Sequence, residues 1–275
     1  MTERRVAILG GGKMGEALLS GLLRSGRSPE DIMVTVRREE RAAELAEEYG
    51  VQTALDNEEA VGWAKVLVLS VKPQDMEALL EQIAPAVTED HVIVSVAAGI
   101  RCALIERMTP GDVPVVRVMS NVPVHVDEAM SAISPGAHAE DKDLAIAEEL
   151  LASVGKVIRL PEKHQDAVTA TSGSGPAYFA LLAEAMIDAC ILLGLSRDVA
   201  TELIVQTMIG SAKMLRDMNS HPVELREMVT SPGGTTIAAI RELENAGVRA
   251  AFLNAIEAAR QRSVELAKGE DAEEV

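Results

Sequence analysis

The sequence predicts two domains: an N-terminal α/β domain with a doubly wound sheet and a C-terminal all-helical domain. Up to residue 160, short β-branched runs alternate with amphipathic segments, which is typical of a doubly wound α/β fold. From residue 164 onward the patterns are helical and no convincing strand appears. The Pro161-Glu162-Lys163 segment marks the boundary, so we predict domains of residues 1–162 and 163–275.

The strands are predicted from runs of apolar residues. Five runs are nearly continuously apolar, as strands buried on both faces should be. They cover residues 6–9, 32–36, 66–71, 92–96 and 115–118, and a last strand at about 155–160 closes the domain. Amphipathic segments between them predict the helical layers that cover the sheet.

The C-terminal domain is predicted to consist of helices at 164–171, 176–194, 197–218, 222–229 and 236–267, the last interrupted near Gly247. The segment 176–193 is apolar nearly all round, so a helix there must be covered on most sides. A small helical domain has too little mass to cover it alone. We therefore predict a homodimer interface made by these helices, and the alternative is the central helix of a monomeric bundle.

Composition and charge exclude several classes of partner. The chain of 275 residues has a formal net charge of −17, which repels nucleic acids and anionic membranes. Its cysteines, Cys102 and Cys190, lie far apart in sequence, so neither a disulfide framework nor a metal site is expected. The apolar segment 176–195 contains Glu184 and Asp188 and is too polar to span a bilayer. With no signal peptide visible, we expect a cytoplasmic protein.

A glycine-rich turn follows the first strand and leads into a helix predicted over 16–24. Gly10, Gly12 and Gly15 have the GxGxxG spacing of dinucleotide-binding sites. The first glycine permits a tight turn, the second permits close approach of a pyrophosphate, and the third packs the helix on the strand. Lys13 and Met14 complete this turn, which predicts a Rossmann-type, NAD(P)-binding domain.

Two arginines follow the second strand. Arg37 and Arg38 stand where NAD-preferring sites place an acidic residue that binds the ribose 2′-OH. Two guanidinium groups suit a 2′-phosphate through bidentate hydrogen bonds. NADPH is therefore the favoured cofactor and NADH remains possible. The alternative is a solvated arginine pair on the helix that follows.

Two further loops lie at the carboxyl ends of predicted parallel strands, where doubly wound folds bind ligands. They are Val71-Lys72-Pro73 and Ala97-Ala98-Gly99. Small residues there allow a dinucleotide to approach the backbone closely. Lys72 either contacts phosphate or ribose or is an exposed turn lysine.

An irregular loop, Ser231-Pro232-Gly233-Gly234-Thr235-Thr236, interrupts the helical C-terminal third. Proline blocks helix continuation and paired glycines cost backbone entropy, so a helix has little structural use for this sequence. Free N–H groups, glycines and hydroxyls gather where the next helix begins, which favours a carboxylate or phosphate. The alternative is a plain connection with a threonine N-cap.

Together, several motifs resemble the pyrroline-5-carboxylate reductase family, in the family's order from residue 6 to residue 266. Besides the glycine turn, these motifs are Val71-Lys72-Pro73, Ala97-Ala98-Gly99, Val118-Met119-Ser120-Asn121, Ser172-Gly173-Ser174-Gly175-Pro176-Ala177-Tyr178 and Ser231-Pro232-Gly233-Gly234-Thr235-Thr236. The resemblance implies reduction of the cyclic imine L-1-pyrroline-5-carboxylate to L-proline with NAD(P)H, the last step of proline synthesis. It also implies a C-terminal domain whose helices interlock in a homodimer, with dimers assembled into rings.

The resemblance also assigns residues. Asn57 matches an asparagine near the adenosine ribose, and Asn121 joins the substrate-binding set. Ser231 and the backbone at Gly234-Thr235 match the loop that binds the substrate carboxylate. Thr236 matches the hydroxyl that reaches the imine nitrogen, and it is the predicted catalytic residue.

This chain departs from the family between residues 120 and 128. Val122 removes a hydroxyl, and the segment from His125 to Glu128 adds charge near the expected site. His125 is either a proton donor or a surface histidine. The sequence leaves other readings open: a 3-hydroxyacid or 6-phosphogluconate-type dehydrogenase, for which Lys213 lacks a matching motif, and a non-enzymatic NADP-binding regulator.

Overall fold

The computed structural model describes residues 5–218 and 221–272, with side chains described as far as residue 267. These residues form two compact units. Residues 5–174 and 259–272 make up the first unit, and the described part of 175–258 makes up the second. The first contains the sheet with its covering helices, and the second is helical throughout. The predicted architecture, a Rossmann-type sheet followed by a helical domain, is confirmed.

The sheet contains eight strands in the order β3-β2-β1-β4-β5-β6-β7-β8. Neighbouring strands are parallel except for the antiparallel pair of β6 and β7. The strands are β1 (Val6–Leu9), β2 (Ile32–Thr35), β3 (Gln52–Ala54), β4 (Val66–Leu69), β5 (Val92–Ser95), β6 (Val115–Met119), β7 (Ala129–Pro135) and β8 (Gly155–Arg159).

The central strands form where the apolar runs predict them because helices cover both faces of the sheet. Strands β1, β2, β4 and β5 are buried along their whole length. The predicted runs continue past the observed strand ends, through Val36, Val71 and Val96. These residues are apolar but already belong to the loops at the carboxyl edge of the sheet.

The apolar runs in the sequence did not predict β3 and β7, for different reasons. Strand β3 is short, polar and partly exposed at the sheet edge, so it carries no apolar run. Strand β7 is buried, but it contains small and hydroxyl residues, with Ser131 and Ser134 inside. A search for apolar runs does not detect such a strand, because some of its buried residues are polar. These polar groups can be buried because hydrogen bonds satisfy them.

The helices are α1 (Lys13–Arg24), α2 (Glu39–Tyr49), α3 (Asn57–Trp63), α4 (Met76–Ile83), α5 (Cys102–Met108), α6 (Asp141–Ala152), α7 (Gln165–Val168), α8 (Gly175–Leu192), α9 (Arg197–Asp217), α10 (Pro222–Met228), α11 (Thr235–Asn245) and α12 (Val248–Ala272). Helix α1 begins at Lys13, three residues before the predicted start, because the glycine turn itself forms its cap. A π-helical turn, Thr169–Gly173, joins α7 to α8. The predicted interruption near Gly247 is confirmed, and this glycine has a left-handed φ of 71°.

The helical unit exposes many large apolar side chains. On α8, Phe179 is 62% exposed, Leu181 is 67% exposed and Leu192 is 89% exposed. By length and composition alone, the helical stretch Glu162–Leu192 is apolar enough to cross a membrane, so the expectation that residues 176–195 are too polar to do so is wrong on this criterion. The core helix of a soluble protein passes the same test. Exposed apolar surface of this extent in a helical unit marks a site of interaction.

Candidate active site

An open groove of about 740 Å³ lies at the carboxyl ends of β1, β2 and β4. The strand order reverses between β1 and β4, which is the point where doubly wound folds bind ligands. The groove brings together the following predicted cofactor residues: Gly10, Gly12, Arg37, Arg38, Asn57, Val71 and Lys72.

Other predicted cofactor residues do not line this groove. Lys13, Met14 and Gly15 form the first turn of α1, whose N-cap is Gly12 with no side-chain cap. Pro73 opens the short 3₁₀ turn Pro73–Asp75 that follows β4. Ala97-Ala98-Gly99 follows β5, one strand further from β1 than the groove's β4 wall.

The glycine turn has the geometry that a pyrophosphate requires. Gly10 has φ of +111°, and a Cβ there would lie 2.8 Å from the carbonyl oxygen of Ser70. A Cβ on Gly15 would collide with the carbonyl oxygen of Gly10. Around Gly12, by contrast, nothing lies within 4 Å of the Cβ position, so the backbone there is open to a ligand.

Ser70 also lines the groove. Its Oγ is buried and has no hydrogen-bond partner among the described residues, as is also true of Oγ of Ser95 and Oε1 of Gln165. The open backbone at Gly12 and the positive φ of Gly10 are therefore the features that fit a dinucleotide.

Two guanidinium groups stand where the sequence predicts them, beside the groove. Arg37 is 77% exposed, and its Nη2 lies 3.0 Å from Oδ1 of Asp75. Arg38 is the N-cap residue of α2 and has no carboxylate partner among the described residues. The wall that follows β2 is therefore cationic.

The sequence analysis missed a third arginine, Arg41, which also lines the groove. Its Nη2 lies 2.6 Å from Glu16 and its Nη1 lies 3.0 Å from Glu44. The hydrogen bond that Arg41 donates to Glu44 and the neighbouring Glu16 carboxylate raise the pKa of Arg41 above its usual value. Arg41 lies three residues after Arg38, about one helical turn, and this spacing could have predicted that both side chains lie on the same side of α2.

A chain of hydrogen bonds connects the glycine turn to Asn57. The N–H of Gly10 donates to Oγ1 of Thr35 (3.2 Å), and that hydroxyl donates to Oδ1 of Asn57 (2.6 Å). Nδ2 of Asn57 then donates to Oε1 of Gln82 (2.8 Å), whose Nε2 donates to Asp56 (3.3 Å). The network fixes the amide orientation of Asn57, which lines the groove, and uses one of its two N–H bonds.

Asn121 lies in a second polar cluster, at the carboxyl end of β6. Its Nδ2 donates to both the carbonyl oxygen and Oγ of Ser172, each at 3.2 Å. Its Oδ1 accepts from the N–H of Met130 (3.0 Å). The side chain thereby ties the π-helical turn to the start of β7, and π turns are frequent at functional sites. Its role toward substrate remains a prediction.

The divergent segment 120–128 forms a 3₁₀ turn, Val122–Val126, followed by Asp127 at φ of 58°. Asp127 binds Arg24 at the end of α1, with Nε 2.9 Å from Oδ2. His125 is exposed. One of the added charges is therefore neutralised within the chain.

The loop before α11 leaves a helix N-terminus uncapped. Gly234 is the N-cap residue, with no side-chain hydrogen bond, so the threonine N-cap considered above is wrong. Thr235 and Thr236 lie inside the first turn, where their N–H groups lack intrahelical partners. Gly233 has φ of +69°, and the N–H of Gly234 donates to the carbonyl oxygen of Ser231 (3.1 Å). The geometry suits an anion.

Models of two protein families match the chain. One, described as pyrroline-5-carboxylate reductase dimerisation, covers residues 162–266. The other, described as NADP oxidoreductase coenzyme F420-dependent, covers residues 5–99. Among the described residues, no group of three or more His, Cys, Asp or Glu residues is placed to hold a metal ion.

Curated relatives match over nearly the whole chain. The pyrroline-5-carboxylate reductase of Corynebacterium melassecola is 44% identical, over 96% of this chain and 98% of the relative. That of Methanosarcina acetivorans is 40% identical, over 98% of this chain and 100% of the relative. The enzyme of the same name from Pseudomonas aeruginosa is 43% identical, over 98% of each.

Solved structures of pyrroline-5-carboxylate reductases are also similar to this chain. A pyrroline-5-carboxylate reductase from Coxiella burnetii superposes with a TM-score of 0.91 at 34% identity, over 96% of this chain and 98% of that one. The Plasmodium falciparum pyrroline carboxylate reductase with NADP bound gives 0.87 at 27% identity, over 97% and 99%. The chain belongs to the pyrroline-5-carboxylate reductase family, the NAD(P)H-dependent oxidoreductases that reduce the C=N bond of L-1-pyrroline-5-carboxylate to form L-proline in the last step of proline biosynthesis.

Proposed function

We propose that this chain performs the reaction with the groove at β1, β2 and β4 as its cofactor site and the 231–236 loop as its substrate site. The single observation that carries this proposal is the uncapped N-terminus of α11. Its free N–H groups, with the hydroxyl of Ser231, bind the carboxylate of the substrate. Asn121 completes the substrate-binding set.

The chemistry requires positioning more than acid catalysis. The carbon of a protonated imine is already electrophilic, so holding it in place supplies much of the rate. Thr236 hydrogen-bonds the imine nitrogen and orients the ring, while Ser231, Gly234 and Thr235 hold the carboxylate. The proton arrives with the substrate or from water, because no side chain of the loop is an obligatory acid.

The cofactor supplies the hydride. We propose NADPH as the preferred form, bound by the α1 N-terminus, Lys72 and the arginines at the β2 wall, with NADH also accepted. The remaining contacts come from Asn57 and from the loops Val71-Lys72-Pro73 and Ala97-Ala98-Gly99. The open backbone at Gly12 and the left-handed φ of Gly10 support this assignment.

The active molecule is a soluble homo-oligomer. We propose that the helices of residues 163–275 interlock between two subunits and that dimers assemble further into a ring. The apolar side chains exposed along α8 support the dimer, since they need a cover. We also propose that the enzyme works in the cytoplasm.

Replacing Thr236 tests the substrate site. We expect Thr236→Ala to lower kcat/KM for L-1-pyrroline-5-carboxylate about tenfold or more, the value of one well-placed hydrogen bond. The KM for NADPH should stay constant. Thr201→Ala is the matched control, because Thr201 also lies near a helix start but bonds only the carbonyl oxygen of Arg197. Unchanged kinetics in Thr236→Ala would remove this residue from the mechanism.

A further inference from the structure

An ion pair connects the two walls of the cofactor groove. Arg37 follows β2 and Asp75 ends the turn that follows β4. Strand β1 lies between these strands, and its carboxyl end carries the glycine turn. The Arg37–Asp75 pair, with Nη2 3.0 Å from Oδ1, therefore spans the width of the strand at which the pyrophosphate is expected.

The three groove arginines differ in how firmly their partners hold them. Arg41 is 23% exposed and is shared by two carboxylates, Glu44 of its own helix and Glu16 of α1. Arg37 is 77% exposed and has one carboxylate partner, from the opposite wall, whose own side chain is 29% exposed. An exposed single pair of this kind is weak and exchanges easily for a stronger anion.

A 2′-phosphate is such an anion. It carries a charge of about −1.5 to −2 and accepts bidentate hydrogen bonds from a guanidinium group, whereas a carboxylate carries one charge. The ribose of NADH has only a neutral hydroxyl at this position. The Asp75 carboxylate therefore competes with a 2′-phosphate for the Arg37 guanidinium, whereas a neutral hydroxyl leaves the Arg37–Asp75 pair in place.

We propose that Asp75 is a cofactor-selectivity residue, which holds Arg37 until a 2′-phosphate displaces it and which thereby reduces the preference for NADPH over NADH. This inference rests on the proposed role of Arg37 as a 2′-phosphate ligand. It assigns Asp75 no part in hydride transfer.

Binding of cofactor fragments tests the inference without turnover. The probes are adenosine 2′,5′-bisphosphate and adenosine 5′-monophosphate, titrated calorimetrically into the full-length protein. We expect Asp75→Asn to tighten binding of the bisphosphate about fivefold, the upper range for an exposed ion pair, and to leave the monophosphate unchanged. Glu77→Gln is the matched control, since this exposed residue of α4 loses the same charge outside the groove lining.

The Arg37→Ala background separates the two proposals. If Arg37 binds the 2′-phosphate, Arg37→Ala weakens binding of the bisphosphate and leaves binding of the monophosphate unchanged. Adding Asp75→Asn to Arg37→Ala then has no further effect on bisphosphate binding. If Arg37→Ala affects both probes equally, the proposed 2′-phosphate role fails. If Arg37→Ala behaves as expected but Asp75→Asn leaves bisphosphate binding unchanged or weaker, the selectivity role of Asp75 is overturned. The selectivity role is also overturned if Asp75→Asn still tightens bisphosphate binding in the Arg37→Ala background.

Discussion

At the scale of single residues, Thr35 determines the direction of the hydrogen bonds beside the cofactor groove. Its side chain is buried, and the N–H of Gly10 can only donate to it. The threonine proton must therefore go to Oδ1 of Asn57, which turns the NH₂ group of Asn57 toward Gln82. One threonine thus couples the shape of the glycine turn to the orientation of the Asn57 amide.

Replacing this hydroxyl with a methyl group should weaken both stability and cofactor binding. Thr35→Val has nearly the same shape but leaves the Gly10 N–H and Asn57 Oδ1 unpaired, so we expect a loss of about 1–3 kcal/mol in the free energy of unfolding. The KM for NADPH should rise several-fold, because the turn loses its support. Urea unfolding and steady-state kinetics measure the two effects.

Two further variants give this experiment its controls. Thr35→Ser retains a hydroxyl and should restore most of both properties. Thr109→Val makes the same change at another buried threonine, which donates only to the carbonyl oxygen of Ile105 and should leave the KM unchanged. An unaltered KM in Thr35→Val would show that the network is only structural.

The residues of the groove were predictable to different degrees. Arg37 and Arg38 follow a recognisable strand at a fixed place in a dinucleotide-binding unit, so their position is readable from the sequence. Thr35 carries no comparable signal, because it is one hydroxyl at the end of an apolar strand and its partner Asn57 comes from another element. The pairing of Arg37 with Asp75 is also long-range and depends on the strand order.

At the scale of elements, Glu162 joins the sheet to the start of α5. Its Oε1 accepts from Nη1 of Arg117 on β6 (3.1 Å) and from the N–H of Cys102 on α5 (2.9 Å). The side chain of Arg117 is 7% exposed, so this carboxylate is the partner that makes its burial possible. Burial and the neighbouring Glu162 carboxylate also raise the pKa of the Cys102 thiol well above its usual range.

Removing Glu162 should therefore cost much more than removing an exposed acid. We expect Glu162→Ala to lower the free energy of unfolding by about 3 kcal/mol, because Arg117 then remains buried without a counter-charge. Glu148→Ala is the control, since its pair with Arg159 is partly exposed and is worth about 1 kcal/mol or less. Urea unfolding of both variants checks this, and equal losses would contradict the distinction.

Strand β7 shows why periodicity misses some elements. It lies between β6 and β8, and its buried serines replace apolar side chains. Ser134 donates to the carbonyl oxygen of Leu160 (2.7 Å) and accepts from Gln165 (2.8 Å). These partners come from distant parts of the chain, so the sequence of the strand alone does not reveal that its polar groups are satisfied.

At the scale of the whole molecule, the two units differ in how their apolar side chains are covered. The sheet is covered within one chain, and its central strands are accordingly apolar throughout. The helical unit leaves large apolar side chains of α8, α9, α11 and α12 exposed, among them Leu203, Ile237 and Leu253. The family model described as pyrroline-5-carboxylate reductase dimerisation covers this unit, which agrees with the proposal that a second subunit covers these side chains.

The last prediction is that a charge on α8 separates the subunits and lowers activity. Leu182 and Ile158 are both 42% exposed, the first on α8 and the second on strand β8. We expect Leu182→Glu to weaken self-association strongly, because a carboxylate would lose its water in the interface, whereas Ile158→Glu should leave association unchanged. Sedimentation of a dilution series, with activity measured on the same samples, tests this. Circular dichroism confirms that each variant retains its helices. A fully active Leu182→Glu monomer would refute the proposal that the dimer is the working enzyme.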